Sequence, residues 1–181
     1  MLHLKNITAG NPKTAEQYQL TKQYGITWLF SEDGKNWYEE QKNFASDTIK
    51  IAYTGDGRVV WVGKDVTGIE PRNASVIEVP DITANRRITV PGYWFYRNDE
   101  FVFDYKLKAE DERDALLKQV SIMTSDWEKD LLLGLISDED REKLKAYRIY
   151  VKSLQAMDFS TIADKTSYNA IEWPVSPEAS S

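Results

Sequence analysis

The sequence predicts an α+β fold, in which an N-terminal β-rich domain of short antiparallel hairpins is followed by a C-terminal antiparallel helical hairpin. Two patterns support this prediction. Short segments rich in β-branched and aromatic residues alternate with turn residues up to Tyr105, and apolar residues recur at helical spacing after Ala109. A third observation is that the two patterns do not alternate. We therefore place the domain boundary between these residues, with 1–105 in the first domain and 106–181 in the second.

The first domain is predicted to begin with a short helix and a β-hairpin. Thr14 and Gln17 have the spacing of a capping box, in which two side chains satisfy free amide groups at a helix start, so we predict a helix over 15–24. Segments 26–30 and 37–40 flank an Asp-Gly pair, which supplies the positive backbone angles of a tight turn. We therefore predict that both segments are strands of one hairpin.

More strands are indicated by runs of β-branched and aromatic residues that end at turn residues. These predicted strands cover 48–54, 58–63, 75–79, 86–90, 93–96 and 100–105. Gly55-Asp56-Gly57 joins the first two into a second hairpin, and Arg97-Asn98-Asp99 joins the last two into a third.

The second domain is predicted to consist of two antiparallel helices. Apolar residues of the first helix recur at steps of three or four, at Leu116, Val120, Met123, Trp127 and Leu131. The same spacing continues in the second helix at Leu144, Tyr147, Val151 and Leu154. Gly134 supplies a helix end, and Ser137 with Asp140 marks the next helix start. The two apolar stripes are therefore expected to pack against each other.

Composition and charge argue against several classes of protein. The formal charge of -6 does not suit general binding of nucleic acid, which requires concentrated Lys and Arg. With no cysteine there is no disulfide or thiolate metal site, which fits a reducing cytosol. The N-terminus lacks the apolar core of a signal peptide, and the longest apolar run, 131–136, is far shorter than the roughly 20 residues of a membrane span. We expect neither secretion nor membrane anchoring.

Candidate catalytic groups are few. His3 is the only histidine and has no neighbouring ligand or triad partner, while Asp33, Asp56 and Asp99 lie in predicted turns, where a carboxylate hydrogen-bonds the local backbone. The sequence contains no phosphate-binding loop and no metal-ligand spacing. We therefore expect a protein that is not an enzyme and binds no cofactor or metal ion, and only a glycosidase pair of carboxylates distant in sequence stays open.

The run Tyr93-Trp94-Phe95-Tyr96 is a first candidate binding surface. Alternating strand positions send two of these aromatic side chains to each face of a sheet. One face is therefore either exposed, where a partner can cover it, or covered by the helical hairpin of the same chain. The sequence does not decide between these alternatives.

A second candidate surface lies on the second predicted helix. Arg141, Lys145, Arg148 and Lys152 are spaced by three or four residues and form a basic stripe beside the apolar one. Such a stripe is either an ordinary solvated helix face or a docking site for an acidic partner. Together, the aromatic and basic patterns predict partner contacts at Tyr93, Trp94, Phe95, Tyr96, Arg148, Lys152 and Trp173.

Blocks spread over nearly the whole chain carry a family resemblance. In the N-terminal half they are 3–7, 11–14, 16–22 and 31–40. In the C-terminal half they are 137–144, Tyr147-Arg148 and Ile171-Glu172-Trp173-Pro174. These blocks resemble the tail fibre assembly proteins of tailed bacteriophages and related prophages. The chain departs from that family in a longer linker at 159–170 and in the aromatic density of 93–105.

The resemblance implies a small, non-enzymatic chaperone that helps the distal, C-terminal region of a trimeric tail fibre to fold and assemble, sometimes staying attached. It would act in the cytoplasm of the bacterial host during phage assembly, or also remain on the virion fibre. A partner that covers apolar surface and strand edges suppresses aggregation while long-range contacts form. Self-association stays open, as does an alternative function, recognition of a host cell-surface glycan by the aromatic strands, either alone or at a fibre tip.

Overall fold

The computed structural model describes residues 1–180, with side chains through Glu178, and confirms the α+β class. The chain forms two compact units, of which the first is Met1–Phe103 and the second begins at Asp104. An antiparallel sheet dominates the first unit, and helices form the second.

Five antiparallel strands form the main sheet of the first unit. They are β1 His3–Gly10, β2 Trp28–Phe30, β3 Thr48–Thr54, β4 Val59–Gly63 and β5 Ala74–Pro80, in the spatial order β2-β1-β5-β3-β4. The predicted second hairpin is confirmed by β3 and β4, and the predicted strand at 75–79 is confirmed by β5. The sheet places β1, from the start of the chain, between β2 and β5.

Strand β1 is absent from the sequence-based prediction, because its buried residues do not alternate. Leu4 and Ile7 are both buried although they are three positions apart. A β-bulge lies between them, and Asn6 adopts a positive φ of 48° there, which brings both side chains to the same face. The bulge breaks the two-residue period by which strands are recognised.

The first helix, α1, spans Ala15–Tyr24 as predicted. The Thr14 hydroxyl accepts a hydrogen bond from the Gln17 amide at 3.1 Å. The Gln17 side chain reaches one residue further than in a capping box, since its Oε1 accepts from the Lys13 amide at 2.7 Å. Gly25 closes the helix with a φ of 66°, a left-handed conformation that glycine adopts without steric cost.

The predicted first hairpin is wrong in its second strand, because Trp37–Glu40 forms a short helix, α2. The Asn36 side chain caps this helix by accepting a hydrogen bond from the Tyr38 amide at 3.0 Å, which favours a helix directly after the turn. Strand β2 pairs with β1 instead. A 3-10 helix follows at Gln41–Asn43.

The predicted strand at 86–90 is also wrong. Thr83–Arg86 forms a one-turn helix, α3, after which the chain continues without regular structure. The Asn85 side-chain amide donates to the Pro80 carbonyl at 2.8 Å, and the guanidinium at the end of α3 donates to Asp81 at 2.7 Å. These contacts with the turn after β5 stabilise a helical turn over an extended backbone.

Each face of the main sheet buries its own apolar cluster, because neighbouring residues of a strand point to opposite faces. The first apolar cluster contains Leu4, Ile7, Leu29, Trp37, Ala52, Val66 and Val76. The second apolar cluster contains Ile49, Ile51, Val59, Val79 and Ile88, with Trp94 and Phe101 packed against it. The sheet is therefore the middle layer of the first unit.

The predicted third hairpin is confirmed as β6 Trp94–Arg97 paired with β7 Glu100–Phe103. Asn98 and Asp99 form its turn with φ of 51° and 63°, the positive angles that two-residue hairpin turns require and that these residue types tolerate. Aromatic side chains of the hairpin pack on the second apolar cluster and so cover part of one sheet face.

Two long helices joined by a short loop form most of the second unit, as predicted. Helix α4 spans Tyr105–Leu133, and α5 spans Asp138–Gln155. Gly134 ends α4 in a left-handed conformation with φ of 69°. The Ser137 hydroxyl accepts from the Asp140 amide at 3.1 Å and starts α5. Both capping predictions are confirmed.

The two helices share one apolar core. It contains Val120, Tyr147, Tyr150, Val151 and Leu154, with Leu116, Leu117, Met123, Trp127, Met157 and Trp173 packed against it. Leu131 departs from the predicted stripe, since it is 46% exposed near the end of α4. A short helix, α6, spans Lys165–Asn169, and a 3-10 helix follows at Pro177–Ser180. Over residues 1–180, none of the helices is both long and apolar enough to span a membrane.

Candidate partner-binding surfaces

The third hairpin divides its aromatic residues between two sides. Trp94 and Tyr96 share one side of β6, while Phe95 points to the other and is only 5% exposed. The guanidinium of Arg97 lies 4.2 Å from the centre of the Phe95 ring, within cation–π distance. Tyr93 precedes β6 and meets a ring of β7 edge-on at 6.0 Å. Much of the aromatic run therefore packs within the first unit.

A cluster of His3, Tyr53 and Tyr96 joins β1, β3 and β6. His3 Nε2 lies 2.7 Å from the Tyr53 hydroxyl, and the Tyr53 and Tyr96 ring centres are 4.6 Å apart. Burial lowers the pKa of His3, and burial with a hydrogen bond to Asp99 raises the pKa of Tyr96 to about 12. Both side chains are therefore mainly neutral at pH 7, so the cluster links strands rather than presenting a poised acid and base.

A groove of about 660 Å³ lies beside the Trp94 and Tyr96 side of the hairpin. It is bounded by the start of β1, the end of β5, the segment around α3 and the hairpin itself. Its lining includes His3, Asn85, Arg87, Trp94, Glu100 and Phe101, and we call it the aromatic groove. Arg87 and Glu100 are exposed, and neither forms an ion pair with another described side chain.

The turn carboxylates Asp33, Asp56 and Asp99 form hydrogen bonds with neighbouring residues of their own turns. A hydrogen bond from Ser31 is the main reason that the pKa of Asp33 is lowered to about 2, and one from Thr54 lowers the pKa of Asp56. Asp99 accepts the hydroxyl of the hairpin tyrosine at 3.1 Å. Within the part of the chain that the structure describes, no group of three His, Asp or Glu side chains is placed to hold a metal ion. These carboxylates therefore act in turn formation.

The basic stripe is exposed along α5. It consists of Arg141, Lys145, Arg148 and Lys152. Lys145 forms an ion pair with Glu142 of the same helix at 2.6 Å. Arg148 and Lys152 have no carboxylate partner among the side chains that the structure describes, and Arg148 borders a small cavity of about 280 Å³ shared with Thr124 of α4. These two cations are available to an acidic partner.

Trp173 is half-buried and packs on the core of the helical hairpin. Its ring centre lies 5.8 Å from that of Phe159. The tail that carries it follows α6, which is tied to α4 because the Tyr168 hydroxyl donates to Glu112 Oε2 at 2.5 Å. The Lys108 ammonium donates to the Tyr168 hydroxyl and to the other carboxylate oxygen of Glu112. Trp173 therefore attaches the tail to the second unit.

Four exposed leucines lie where α4 leads into α5. They are Leu131, Leu132, Leu133 and Leu135, which we call the leucine tip. Single exposed leucines are ordinary on soluble proteins, but four within five positions concentrate exposed apolar side chains at one end of the helical hairpin, as is typical of protein-binding sites. The apolar run at 131–136 contains the signal for this tip, yet hydropathy alone does not separate an exposed run from a buried one.

The predicted contact residues fall on separate surfaces. Trp94 and Tyr96 meet at the aromatic groove, whereas the two cations and the tail tryptophan belong to the second unit. Asn85, Arg87 and Glu100 also line the groove, although the sequence did not single them out. They reach the groove through the fold of α3 and β7 around the end of β5, and no local pattern indicates that meeting.

Comparison with known proteins assigns the chain to a family. Residues 39–178 match the family described as "Caudovirales tail fibre assembly protein, lambda gpK". Since this match covers most of the chain and extends over both units, the protein belongs to the tail fibre assembly family.

Individual relatives are similar over almost their whole length. The chain is 48% identical over 168 residues to "Tail fiber assembly protein U'" of Escherichia phage Mu, which covers 90% of this chain and 95% of the relative. The protein of the same name from Escherichia phage P1 has the same identity and coverage. "Tail fiber assembly protein U" of phage Mu is 40% identical over 184 residues, covering 98% of this chain and 100% of the relative. The resemblance read from the sequence is therefore confirmed.

Proposed function

We propose that this protein acts in phage tail fibre assembly as a chaperone that binds the distal, C-terminal region of a trimeric fibre. The observation that carries the proposal is the match to proteins named for tail fibre assembly. This match extends over both units of the chain and is not confined to one of them. The protein would act in the cytoplasm of the bacterial host, where the fibre chains are made, and a stable complex would carry it onto the virion.

The leucine tip is the surface that best suits a chaperone. A folding trimer exposes apolar surface until its chains have intertwined, and such surface aggregates unless a partner covers it. Leu132 and Leu135 are 87% and 72% exposed, so they are available for apolar contact without any rearrangement of the helices. Asp138 and Glu139 follow directly in the first turn of α5 and give the tip a charged rim, as at many protein interfaces.

Arg148 and Lys152 supply a second feature that supports binding to another protein. Both are exposed on α5, and their charges are not neutralised by a described carboxylate. Exposed charges of one sign increase the rate at which a partner of the opposite sign is met and restrict its orientation. An acidic patch on the fibre would therefore be steered toward the same helical hairpin that carries the leucine tip.

Co-expression tests the proposed function directly. The C-terminal fragment of the tail fibre encoded by the same phage would be produced with and without this chain, and soluble trimer would be measured by size-exclusion chromatography with light scattering. We expect this chain to raise the yield of soluble trimer several-fold and to co-purify with it at an early stage. Equal trimer yields, together with no co-purification, would refute the chaperone proposal.

Matched surface substitutions test the role of the leucine tip. Leu132→Ser combined with Leu135→Ser makes the tip polar, and Ile122→Ser combined with Ile149→Ser removes exposed apolar side chains elsewhere on the same two helices. We expect the first pair to lower trimer yield and fibre capture, and the second pair to leave both unchanged. If both pairs behave alike while the wild-type chain still assists the fibre, the tip is not the contact.

A further inference from the structure

The aromatic groove of the first unit combines aromatic side chains with charged and amide side chains. Its apolar lining includes Trp94 and Phe101, which also pack against the second apolar cluster. Asn85 and Arg87 line the wall next to α3, and Glu100 lines the wall at the start of β7. At about 660 Å³, the groove lies within the range of about 300 to 1,000 Å³ that is usual for small-ligand sites.

Several polar side chains of the groove are available to a ligand. Arg86 is bound to Asp81 at 2.7 Å, whereas its neighbour Arg87 is exposed and forms no ion pair with the described side chains. Glu100 is likewise exposed and is not paired with a described cation. Asn85 uses its side-chain nitrogen for a backbone carbonyl, so its side-chain oxygen is the atom left to accept a ligand hydroxyl.

These groups together suit a sugar ring, which has polar hydroxyl groups at its edge and an apolar C–H face. A guanidinium, a carboxylate and an amide offer donors and acceptors in planar pairs, which suit neighbouring hydroxyl groups on one edge of a pyranose. Trp94 and Phe101 offer apolar ring surface for the C–H face of the same sugar. One sugar ring therefore offers partners to both the polar and the aromatic side chains that line the groove.

Other classes of ligand suit the groove less well. Its carboxylates, Glu78, Asp99 and Glu100, outnumber its cations, Arg87 and the ammonium of Met1, so a phosphate or nucleic acid would meet repulsion. A purely apolar ligand would remove Arg87 and Glu100 from water without giving them hydrogen bonds, which is unfavourable. A neutral, polyhydroxylated ring avoids both penalties.

We propose that the aromatic groove binds a pyranose ring of a neutral saccharide, which gives this chain a glycan site in addition to its role in fibre assembly. Arg87 and Glu100 hydrogen-bond the ring hydroxyls, and Trp94 with Phe101 covers the opposite ring face. The site belongs to the first unit alone, so it does not require the leucine tip or the basic stripe of the second unit.

Saturation-transfer NMR on the full chain tests this site. The probes are the methyl pyranosides of glucose, galactose, N-acetylglucosamine and rhamnose, each added in excess to the purified protein. We expect transfer to the ring C–H protons of at least one glycoside. Arg87→Ala and Glu100→Gln are each expected to weaken its affinity by about tenfold or more, because each removes a charge-assisted hydrogen bond.

Arg72→Ala is the matched control, because it removes an exposed arginine of the first unit that pairs with Glu70 and does not line the groove. It is expected to bind the glycoside like the wild type, and circular dichroism checks that every variant is folded. No transfer to any of the four glycosides, or equal affinity in all variants, overturns the proposal. If the wild-type chain binds none of the glycosides and Arg87→Ala loses fibre capture, the proposal is also overturned. The groove is then assigned to the fibre. Fibre trimer yield, measured without sugar, tests the chaperone role separately.

Discussion

The two units of this chain form their cores by different routes. In the first unit the sheet joins distant segments, as when the Leu2 amide donates to the Glu78 carboxylate, 76 residues away. In the second unit α4 and α5 are consecutive, and their shared core requires only the short loop between them. Pairing distant strands costs more loop-closure entropy and is slower than packing neighbouring helices. The helical hairpin is therefore expected to fold first.

The units also differ in what they bury. In the described part of the first unit, the buried polar or charged residues are Gln17, Ser31, Asn36, Lys50, Ser75 and Glu78, and in that of the second unit Thr124. Lys50 is 1% exposed, and its ammonium donates to the carbonyls of Ala45 and Thr48. Buried polar groups must keep their hydrogen bonds. The first unit therefore depends on exact geometry, whereas the second depends mainly on apolar volume.

Leu154→Ala is expected to have the largest effect and to act in the second unit. Leu154 is fully buried in the helical core, and truncating such a leucine lowers the free energy of unfolding by about 2–5 kcal/mol. Hydrogen exchange read by mass spectrometry should show faster exchange in peptides of α4 and α5. Leu132→Ala makes the same change at an 87% exposed position and should alter stability by less than about 0.5 kcal/mol. Equal acceleration in peptides of the first unit would show that the two units unfold together.

Glu78→Gln is expected to have the next largest effect, in the first unit. The two oxygens of Glu78 accept from the Leu2 amide at 2.9 Å and the Ala45 amide at 3.0 Å. A glutamine side chain can accept on one side only, so one backbone N–H would face another donor, at a cost of about 1–3 kcal/mol in unfolding free energy. Urea denaturation measures the loss. Glu70→Gln, which breaks an exposed ion pair with Arg72, is the control at about 0–1 kcal/mol, and a loss no greater than the control would contradict this account.

The smallest expected effect is a dependence of the first unit on pH through His3. Burial lowers the pKa of this side chain from 6.5, so the unfolded chain binds the proton more readily than the folded chain. The stabilisation from neutral His3 is therefore fully present above pH 6.5 and is lost as the pH falls through the folded-state pKa. The urea midpoint should be lower at about pH 5.5 than at about pH 7.5. His3→Gln keeps a polar side chain next to Tyr53 and should reduce the difference, and an unchanged difference would exclude His3 as its cause.

Much of the second unit was predictable because its signals are local. Gly134 and Ser137 mark where one helix ends and the next begins, and both caps involve residues within one helical turn. The stripe through Leu144 and Leu154 likewise depends only on the 3.6-residue period. Leu131 is the exception, since the period places it on the stripe but the core ends before it.

The errors in the first unit have particular causes. Segment 37–40 has the composition of a strand, but the Asn36 side chain caps a helix there and Trp37 enters the first apolar cluster. Strand β1 is hidden by the bulge at Asn6, which breaks the alternation of apolar and polar residues. In the first case a local hydrogen bond outweighs the average preference of the surrounding residues, and in the second a bulge removes the period by which a strand is recognised.

The candidate sites follow the same division. The basic stripe on α5 is a property of helical spacing, so its exposed cations could be named from the sequence. The aromatic groove depends on His3, Arg87 and Glu100 meeting around the end of β5, which requires the β1–β5 pairing and the placement of the third hairpin. Local periodicity contains no information about such a meeting.

The sequence by itself determined the family, the order of a β-rich unit before a helical hairpin, and the residues that cap and line that hairpin, because motifs and periods of a few residues encode them. Only the tertiary structure decided that Phe95 is buried while Trp94 borders a groove, and that the leucines of the run at 131–136 are exposed while Ile136 is buried. The physical reason is that a residue's spacing fixes which side of its own helix or strand it occupies, whereas burial depends on what distant segment packs against that side.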